Sequence, residues 1–195
     1  MKINAIIMAS GLSKRMTKDK LHLKINKKKI YQYILLTIRQ CNFNEVILVA
    51  NDEEIIKESI VSGFKTVKNN YSYLGQSFSI KLALENSSQC DGFMFFVADQ
   101  PFIKVSTILH LCDAFNKNPD KIIIPLINGS NKNPVIFPSY FKKDLMVIEG
   151  DQGGRFVIRN NAEKVIKVTL QNEDEFFDID TLDDYKKAIE MKVQS

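Results

Sequence analysis

A cluster of basic residues follows the first apolar stretch of the chain, within the segment ASGLSKRMTKDK. Ala9, Ser10 and Gly11 are small enough for their backbone N–H groups to approach a ligand closely. Beyond them, Arg15 and Lys20 could contact phosphate oxygens, Arg as a bidentate fork and Lys as a point charge. The segment matches neither the P-loop pattern nor the GxGxxG pattern. It indicates either an anion-binding loop of another type or a basic loop that is simply solvated.

An aspartate follows the most apolar stretch of the chain. Asp99 comes directly after the uncharged run from Gly92 to Ala98. A carboxylate in this position emerges at the edge of the sheet where α/β proteins bind ligands. Mg²⁺ takes one or two carboxylates together with substrate phosphates, so Asp99 is a candidate metal ligand. The alternative is that Asp99 caps the helix that begins near residue 105.

A pair of acidic residues precedes the last helical stretch, in the segment DIDT. If this segment is a strand, Asp178 and Asp180 lie on the same face of it. Two carboxylates on one face favour a divalent cation between them, or between one of them and Asp99. The alternative is that Asp180 or Thr181 caps the final helix.

Apolar runs alternate with stretches of helical period along the whole chain. This alternation predicts an α/β fold in one domain over residues 1–195, with a doubly wound, mostly parallel Rossmann-like sheet and helices on both faces. Ligands bind such a sheet where the strand order reverses, so the three polar segments are expected to converge. The predicted strands cover 3–8, 45–50, 64–69, 92–98, 121–126, 134–138, 163–170 and 175–180, and the predicted helices cover 30–41, 52–63, 76–87, 105–115, 154–161 and 181–192.

The composition is that of an ordinary globular protein, with 45% hydrophobic and 26% charged residues. The net charge of +4 suits small anionic ligands and does not argue for nucleic acid. No stretch approaches the ~20 apolar residues of a membrane span, and the first apolar run is too short for a signal peptide, so we expect a cytoplasmic protein. Three cysteines without CxxC spacing indicate free thiols. In the predicted hairpin over 21–29, Asn26 and Lys27 are expected to form a solvated tip.

Together these segments resemble a known family. The stretch AIIMASGLSKRMTKDK is similar to the signature loop of nucleotidyltransferases that activate small phosphorylated acceptors with a nucleoside triphosphate. DQP after an apolar strand and DIDT before the last helix resemble that family's two metal-binding segments. The segments GQSFSIKLAL (75–84), NPVIFP (133–138) and GDQGGRFVI (150–158) are similar to one branch, the molybdenum cofactor cytidylyltransferases. The resemblance covers essentially the whole chain.

The resemblance implies a nucleotide-diphospho-sugar transferase-like fold and an enzyme that transfers CMP from CTP to the phosphate of molybdopterin. It implies Mg²⁺ as the cofactor and a transient contact with a client molybdoenzyme. We also expect a monomer that binds neither nucleic acid nor a membrane.

Carried over residue by residue, the resemblance assigns four groups of site residues. The expected catalytic residues are Arg15, Lys20 and Asp99. The nucleotide is expected to lie against Ala9, Ser10, Gly11, Gly75, Gln76, Ser77 and Ser79, with Arg15 and Lys20 on its phosphates. The expected metal ligands are Asp99, Asp180 and Asp178. The acceptor is expected to face Asn133, Pro134, Gly150, Asp151, Gly153 and Arg155.

The chain departs from the family pattern at three positions. Thr17 stands where the family usually has Gly, Asn133 replaces a frequent His, and Leu182 replaces a frequent Pro. Asn133 bears on recognition of the acceptor, whereas none of the three changes touches a predicted metal ligand. His22 and His110 lie outside these motifs, and we expect both to be structural.

Two alternatives stay open. The same chemistry could transfer GMP to molybdopterin, or a nucleotide to a sugar phosphate or polyol phosphate. A different class is a non-catalytic protein that binds the mature cofactor and delivers it to a molybdoenzyme. The presence of Arg15, Lys20, Asp99 and Asp180 argues against that class, because loss of a metal ligand is the simplest sign of lost catalysis.

Overall fold

The computed structural model describes residues 1–11 and 19–193, which are arranged around an eight-stranded sheet. The strands are β1 (Ile3–Ala9), β2 (Lys24–Ile25), β3 (Lys28–Lys29), β4 (Glu45–Ala50), β5 (Lys65–Lys68), β6 (Gly92–Val97), β7 (Ile122–Ile127), β8 (Ser130–Asn131), β9 (Val135–Pro138) and β10 (Val165–Thr169). The α-helices are α1 (Ile30–Arg39), α2 (Glu53–Val61), α3 (Gln76–Glu85), α4 (Val105–Lys117), α5 (Lys142–Met146), α6 (Gly154–Asn160) and α7 (Leu182–Val193). None of the described helices is long and apolar enough to cross a membrane.

The large sheet has the strand order β10-β7-β9-β6-β1-β4-β5, with β8 paired to β7. β1 pairs in parallel with β4 and with β6, and the edge strands β5 and β10 also pair in parallel with their neighbours. Among the described strands of this sheet, β9 and the short β8 run antiparallel to their partners. The predicted fold class, a mostly parallel α/β sheet with helices on both faces, is confirmed.

Each face of the sheet has its own apolar layer. On β6, Met94 and Phe96 pack in the layer that contains buried residues of α1, α2, α4 and α7, whereas Phe93 and Phe95 pack in the layer that contains those of α3, α5 and α6. Because both faces of β6 are covered, its sequence is apolar throughout instead of alternating with polar residues. This strand lies in the middle of the sheet, as the sequence predicts.

The strand order reverses between β1 and β6. After β1 the chain builds β4 and β5 on one side, and it then returns through α3 to place β6 on the other side of β1. Met8 is aligned with Val97, so the carboxyl ends of the two strands lie side by side. A crevice outside these strand ends is the position where open α/β sheets bind ligands.

Of two further predictions, the hairpin turn at Asn26 and Lys27 is confirmed and the strand over 175–180 is not. Asn26 and Lys27 connect β2 to β3 with φ values of 44° and 70°, the conformation of a two-residue type I′ hairpin turn. The strand predicted over 175–180 is wrong, because Glu173–Phe176 forms a 3-10 turn and residues 177–180 have no regular structure. The fully buried side chains there, Phe176 and Ile179, are three residues apart, which is not the period of a strand.

The remaining predicted elements are present, with bounds that lie within two residues of those expected. The five-residue helix α5 and the two-residue strand β8 were not predicted. Both are too short to show a period in the sequence.

Candidate functional site

A cleft of about 400 Å³ opens where β1 and β6 end. Its lining comes from the ends of these two strands, from the 3-10 turn Lys20–His22, from the start of α3, and from the segment before α7. The three polar segments singled out in the sequence therefore converge. The site residues predicted from the sequence that line this cleft are Ala9, Ser10, Gly11, Lys20, Gly75, Gln76, Ser79, Asp99, Asp151 and Asp180.

Lys20 links the two carboxylates of this cleft. Its Nζ donates to Asp99 Oδ2 at 2.6 Å and to Asp180 Oδ1 at 2.8 Å. Burial alone would lower the pKa of Lys20, but the two carboxylates outweigh this effect and raise that pKa, so the ammonium group stays charged. The side chains of Lys20 and Asp99 are 13% and 21% exposed, so solvent screens this ion pair less than it screens a surface pair, whereas the Asp180 side chain is 45% exposed.

Asp99 and Asp180 fit a divalent cation. The second oxygen of Asp99, Oδ1, is buried and has no hydrogen-bond partner among the described residues. A buried carboxylate oxygen without a partner is costly, and a cation would satisfy it. Oxygen donors of this kind suit hard divalent cations such as Mg²⁺ or Mn²⁺. The segment that carries Asp180 is held next to Asp99, because Ile179 N–H donates to the Asp99 carbonyl oxygen at 3.2 Å.

Asp178 has a different environment. Its Oδ1 accepts a hydrogen bond from Gln100 Nε2 at 2.8 Å, and its side chain is not part of the cleft lining. Burial, and then the charge of Asp99, raise the pKa of Asp178. Asp178 therefore contributes to the electrostatics of Asp99, and its role as a metal ligand stays a prediction.

The two cleft aspartates are not helix caps. α4 begins after Lys104, which makes no side-chain capping bond, so the capping alternative for Asp99 is wrong. At α7 the Thr181 hydroxyl accepts from Asp184 N–H at 3.1 Å, and Asp184 Oδ2 accepts from Thr181 N–H at 2.9 Å. This reciprocal pair has the pattern of a capping box. Thr181 therefore caps α7, while the Asp180 carboxylate faces Lys20.

A buried polar network supports the small-residue turn after β1. Ser10 Oγ and Ser79 Oγ lie 2.7 Å apart, and Asn69 Nδ2 donates to Ser79 Oγ at 3.0 Å. All three side chains are buried. Because the network joins the end of β1 to α3, it fixes two walls of the cleft relative to each other.

The start of α3 also packs against the loop that precedes α6. Gly75 has φ +93° and ψ −178°, a conformation that is essentially restricted to glycine. Ser77 N–H donates to the Gly150 carbonyl oxygen at 3.0 Å. Ser77 and Gly150 do not line either cleft described here, so the structure gives both of them a role in this junction.

A larger cleft of about 1160 Å³ adjoins the first, and the two share Met8, Gln76, Val97 and Asp151 in their linings. Four of the predicted acceptor residues, Asn133, Asp151, Gly153 and Arg155, line this second cleft, whereas the buried Pro134 does not. Its basic side chains are Lys132, Arg155, Arg159 and Lys167. The combination of positive charge and direct continuity with the first cleft suits an anionic second substrate.

The sequence reasoning missed Lys132, Arg159 and Lys167. Arg159 lies four residues after Arg155 on α6, so the shared helix face was a signal that could have identified it. Lys132 and Lys167 come from separate strands and loops, and only the pairing of β10 with β7 brings Lys167 to this cleft. The predicted phosphate ligand Arg15 lies within residues 12–18, outside the described residues.

His22 belongs to a second charged group beside the first cleft. Its Nε2 lies 3.1 Å from Asp52 Oδ2 and 3.8 Å from Asp19 Oδ2. Asp52 caps α2 through its other oxygen, which accepts from Glu54 N–H at 2.9 Å. These contacts join the 3-10 turn that carries Lys20 to the start of α2, in agreement with a structural role for His22.

The sequence profile of the MobA-like NTP transferase domain matches residues 5–165, which include most of β1, all of β6 and most of the residues that line the two clefts. The chain belongs to this family.

Two curated relatives are similar in sequence. The chain is 33% identical over 129 residues to the probable molybdenum cofactor guanylyltransferase of Natranaerobius thermophilus, a match that covers 65% of this chain and 62% of that protein. It is 24% identical over 194 residues to the purine catabolism protein PucB of Bacillus subtilis, covering 92% of each. The first match thus spans less than two thirds of the guanylyltransferase.

Three solved structures share the fold. A nucleotidyl transferase from Methanothermobacter has a TM-score of 0.84 at 16% identity, covering 99% of this chain and 98% of that one. Rv0371c of Mycobacterium tuberculosis, in complex with manganese, has a TM-score of 0.80 at 20% identity, covering 97% and 99%. A CMP:2-keto-3-deoxy-manno-octonic acid synthetase complexed with CTP has a TM-score of 0.82 at 12% identity, covering 100% and 99%. At these identities the likeness supports the fold of the MobA-like chain and nothing finer.

Proposed function

We propose that this MobA-like protein transfers CMP from CTP to the phosphate of molybdopterin and releases pyrophosphate. The observation that carries nucleotidyl transfer is the grouping of Lys20, Asp99 and Asp180 in one cleft that opens into a second, basic cleft. The first cleft has the size for a nucleoside triphosphate and the carboxylates to hold a divalent cation beside its phosphates. The second has room and positive charge for a phosphorylated acceptor.

In this proposal the nucleotide occupies the first cleft. Ala9, Ser10 and Gly11 provide close backbone contacts, because small residues let a ligand approach the main chain. The N-terminus of α3, which begins at Gln76, adds backbone donors to the same cleft. Lys20 and Arg15 bind the phosphates, Arg15 on the strength of the sequence resemblance.

The acceptor occupies the second cleft, where Arg155 and Arg159 lie one helical turn apart on α6. Guanidinium groups bind phosphate oxygens in a bidentate manner, and a pair of them can hold an anionic acceptor in one orientation. The two clefts meet at Gln76 and Asp151, so the acceptor phosphate and the nucleotide can come into contact there.

The chemistry demands little from protein bases. The acceptor is a phosphate monoester whose oxygen already carries negative charge, so it can attack the α-phosphorus in line without a general base. The new P–O bond forms as the bond to pyrophosphate breaks, and Lys20 and Arg15 neutralise the charge that develops on the phosphate oxygens. A divalent cation held by Asp99 and Asp180 would supply further positive charge at the phosphates.

The choice of CTP rests on the resemblance of residues 75–84, 133–138 and 150–158 to the cytidylyltransferase branch. GTP is the second candidate, because the relative at 33% identity is named a molybdenum cofactor guanylyltransferase. The two nucleotides differ in the base alone, so a direct comparison of their kcat/KM values decides between the branches.

The test is pyrophosphate release from each of the four nucleoside triphosphates, with and without molybdopterin. We expect release that requires molybdopterin and is fastest with CTP, and we expect the Asp99→Asn variant to lose it. A preference for GTP would assign the protein to the guanylyl branch. No release with any nucleotide would favour the non-catalytic carrier, and release that depends on a sugar phosphate would replace the acceptor.

A further inference from the structure

Two roles compete for the Lys20 ammonium group. The proposed function places it on the phosphates of a nucleotide, whereas the structure places it within 2.8 Å of one oxygen of Asp99 and one oxygen of Asp180. These carboxylates are the groups that would also hold a divalent cation. The ammonium group has three N–H donors, and two of them already go to the carboxylates. If it also binds several phosphate oxygens of a nucleotide, at least one of these contacts must be exchanged.

We propose that Lys20 is an exchangeable internal counter-ion, which holds Asp99 and Asp180 together and opposes cation binding until nucleotide phosphates draw its ammonium group away. Nucleotide and divalent cation therefore bind cooperatively. The identity of the polyanion rests on the proposed function, whereas the exclusion of the cation rests on the contacts of Lys20 alone.

The charge balance of the site supports this exchange. With Lys20 in place, the group of Lys20, Asp99 and Asp180 carries one net negative charge, and its ammonium repels an approaching cation. Once the ammonium moves to a polyanion, the two carboxylates carry two negative charges side by side in the cleft, Asp99 with a side chain that is 21% exposed and Asp180 with one that is 45% exposed. A divalent cation then meets stronger attraction and, among the described residues, no competing hydrogen-bond donor on Asp99 Oδ2.

The carboxylate of Asp99 is only half satisfied in the present arrangement. Lys20 occupies Oδ2, while Oδ1 is buried without a hydrogen-bond partner among the described residues. The Lys20 ammonium group therefore satisfies only one of the two carboxylate oxygens of Asp99. Binding of a divalent cation would remove the cost of this unpartnered oxygen, and this favours cation binding once Lys20 has moved away.

The position of Lys20 allows the exchange without a large movement of the main chain. Lys20 starts a 3-10 turn that is fixed by Asp19, whose side chain accepts from Leu21 N–H at 3.1 Å, and by the bond from Leu23 N–H to the Lys20 carbonyl oxygen at 3.2 Å. The Lys20 side chain lines the same cleft as Gly11. Rotation about its four-carbon stem can carry Nζ from the carboxylates to a phosphate in that cleft.

The first experiment needs no nucleotide. Mn²⁺ binding to the metal-free full chain is measured from the EPR signal of free Mn²⁺, for the parent, Lys20→Met and Lys132→Met. We expect Lys20→Met to bind Mn²⁺ at least about fivefold more tightly than the parent, because the competing charge is gone. Lys132→Met removes a charge from the adjoining cleft and should stay within about twofold. Unchanged or weaker binding by a Lys20→Met variant with the melting curve of the parent would overturn the inference.

The reciprocal experiment measures CTP and GTP binding by calorimetry in the presence of EDTA. Asp99→Asn and Asp151→Asn each remove one negative charge from the lining of the first cleft, but Lys20 donates hydrogen bonds to Asp99 and Asp180. We expect the larger gain in nucleotide affinity for Asp99→Asn, since it also weakens the hold on Lys20. Equal gains would overturn the exchange. If neither nucleotide binds to any variant, even with Mn²⁺, the proposed function fails, and the Mn²⁺ titration still decides the role of Lys20.

Discussion

A Cβ atom on Gly75 would lie closer than 3.0 Å to the backbone carbonyl group of Gly150, so these two glycines set how closely α3 approaches the loop before α6. The same loop receives a hydrogen bond from Ser77 N–H. The junction is a contact between main chains, and it cannot adapt by a change of rotamer.

Gly75→Ala should therefore destabilise the protein by at least about 2 kcal/mol, since the strained φ and the overlap with Gly150 add together. Gly63→Ala is the matched control, because Gly63 also has a positive φ, of 81°, but a Cβ there meets nothing within 4 Å. That control should cost about 1–2 kcal/mol. Urea unfolding of both variants measures the difference. Equal losses in the two variants would show that the contact with Gly150 contributes nothing.

Asp99→Asn should keep the fold and lose most of the activity. The amide preserves the size of the side chain but removes the negative charge that faces Lys20 and the proposed cation. We expect turnover to fall by roughly 10²–10³, the scale of losing one preorganised charge contact, with only partial recovery at high Mg²⁺. A melting curve and a Mg²⁺ titration of turnover check this. Turnover close to that of the parent at low Mg²⁺ would remove Asp99 from the cation site.

Replacing both arginines of the second cleft should affect the acceptor and spare the nucleotide. In the Arg155→Gln, Arg159→Gln double variant we expect the KM for the acceptor to rise at least about tenfold, because charge-assisted bonds to an anion are lost. The KM for the nucleotide should change less than about twofold. Arg39→Gln, on the exposed side of α1, is the control. An equal rise in both KM values would mean that the two clefts are not separate substrate sites.

The three cysteine thiols should react slowly in the folded protein. Burial raises the pKa of Cys41 and of Cys90 to about 11, and that of Cys112 to about 12. Because the thiolate is the reactive form, alkylation by iodoacetamide at pH 8 should be at least about 50-fold slower than in urea. The rate in the folded protein should rise about tenfold per pH unit up to pH 10. Fast labelling of the native chain at pH 8 would contradict the burial of these thiols.

Much of the site followed from local patterns in the sequence. The uncharged run 92–98 placed Asp99 at the end of a central strand, and the small-residue turn placed Lys20 near it, because parallel strand ends share one edge of a sheet. The hydrogen bond between Lys20 and Asp99 could not be predicted from the sequence, because the two residues are 79 positions apart. The distance between two side chains so far apart in the chain depends on the tertiary structure and not on any local pattern.

The errors have local causes. In the segment 175–180, Asp178 and Asp180 alternate with Ile179. An alternation of three residues is too short to distinguish a strand from a turn. The basic residues of the second cleft are spread over the chain from Lys132 to Lys167 and gave no cluster in the sequence. Their grouping depends on the pairing of β10 with β7 and on the position of α6.

The junction between α3 and the loop before α6 also constrains how the family can diverge. A Cβ on Gly153 would overlap the side chain of Gln76, so the loop touches α3 at a second point besides Gly150. An insertion in residues 150–153 would push α3 away from the first cleft and would also reshape the second cleft. If the second cleft binds the acceptor as proposed, a change of acceptor is therefore expected through single substitutions at lining positions such as Lys132 or Arg159 and not through changes in loop length. Among homologues with different acceptors, this loop should keep its length while those positions vary.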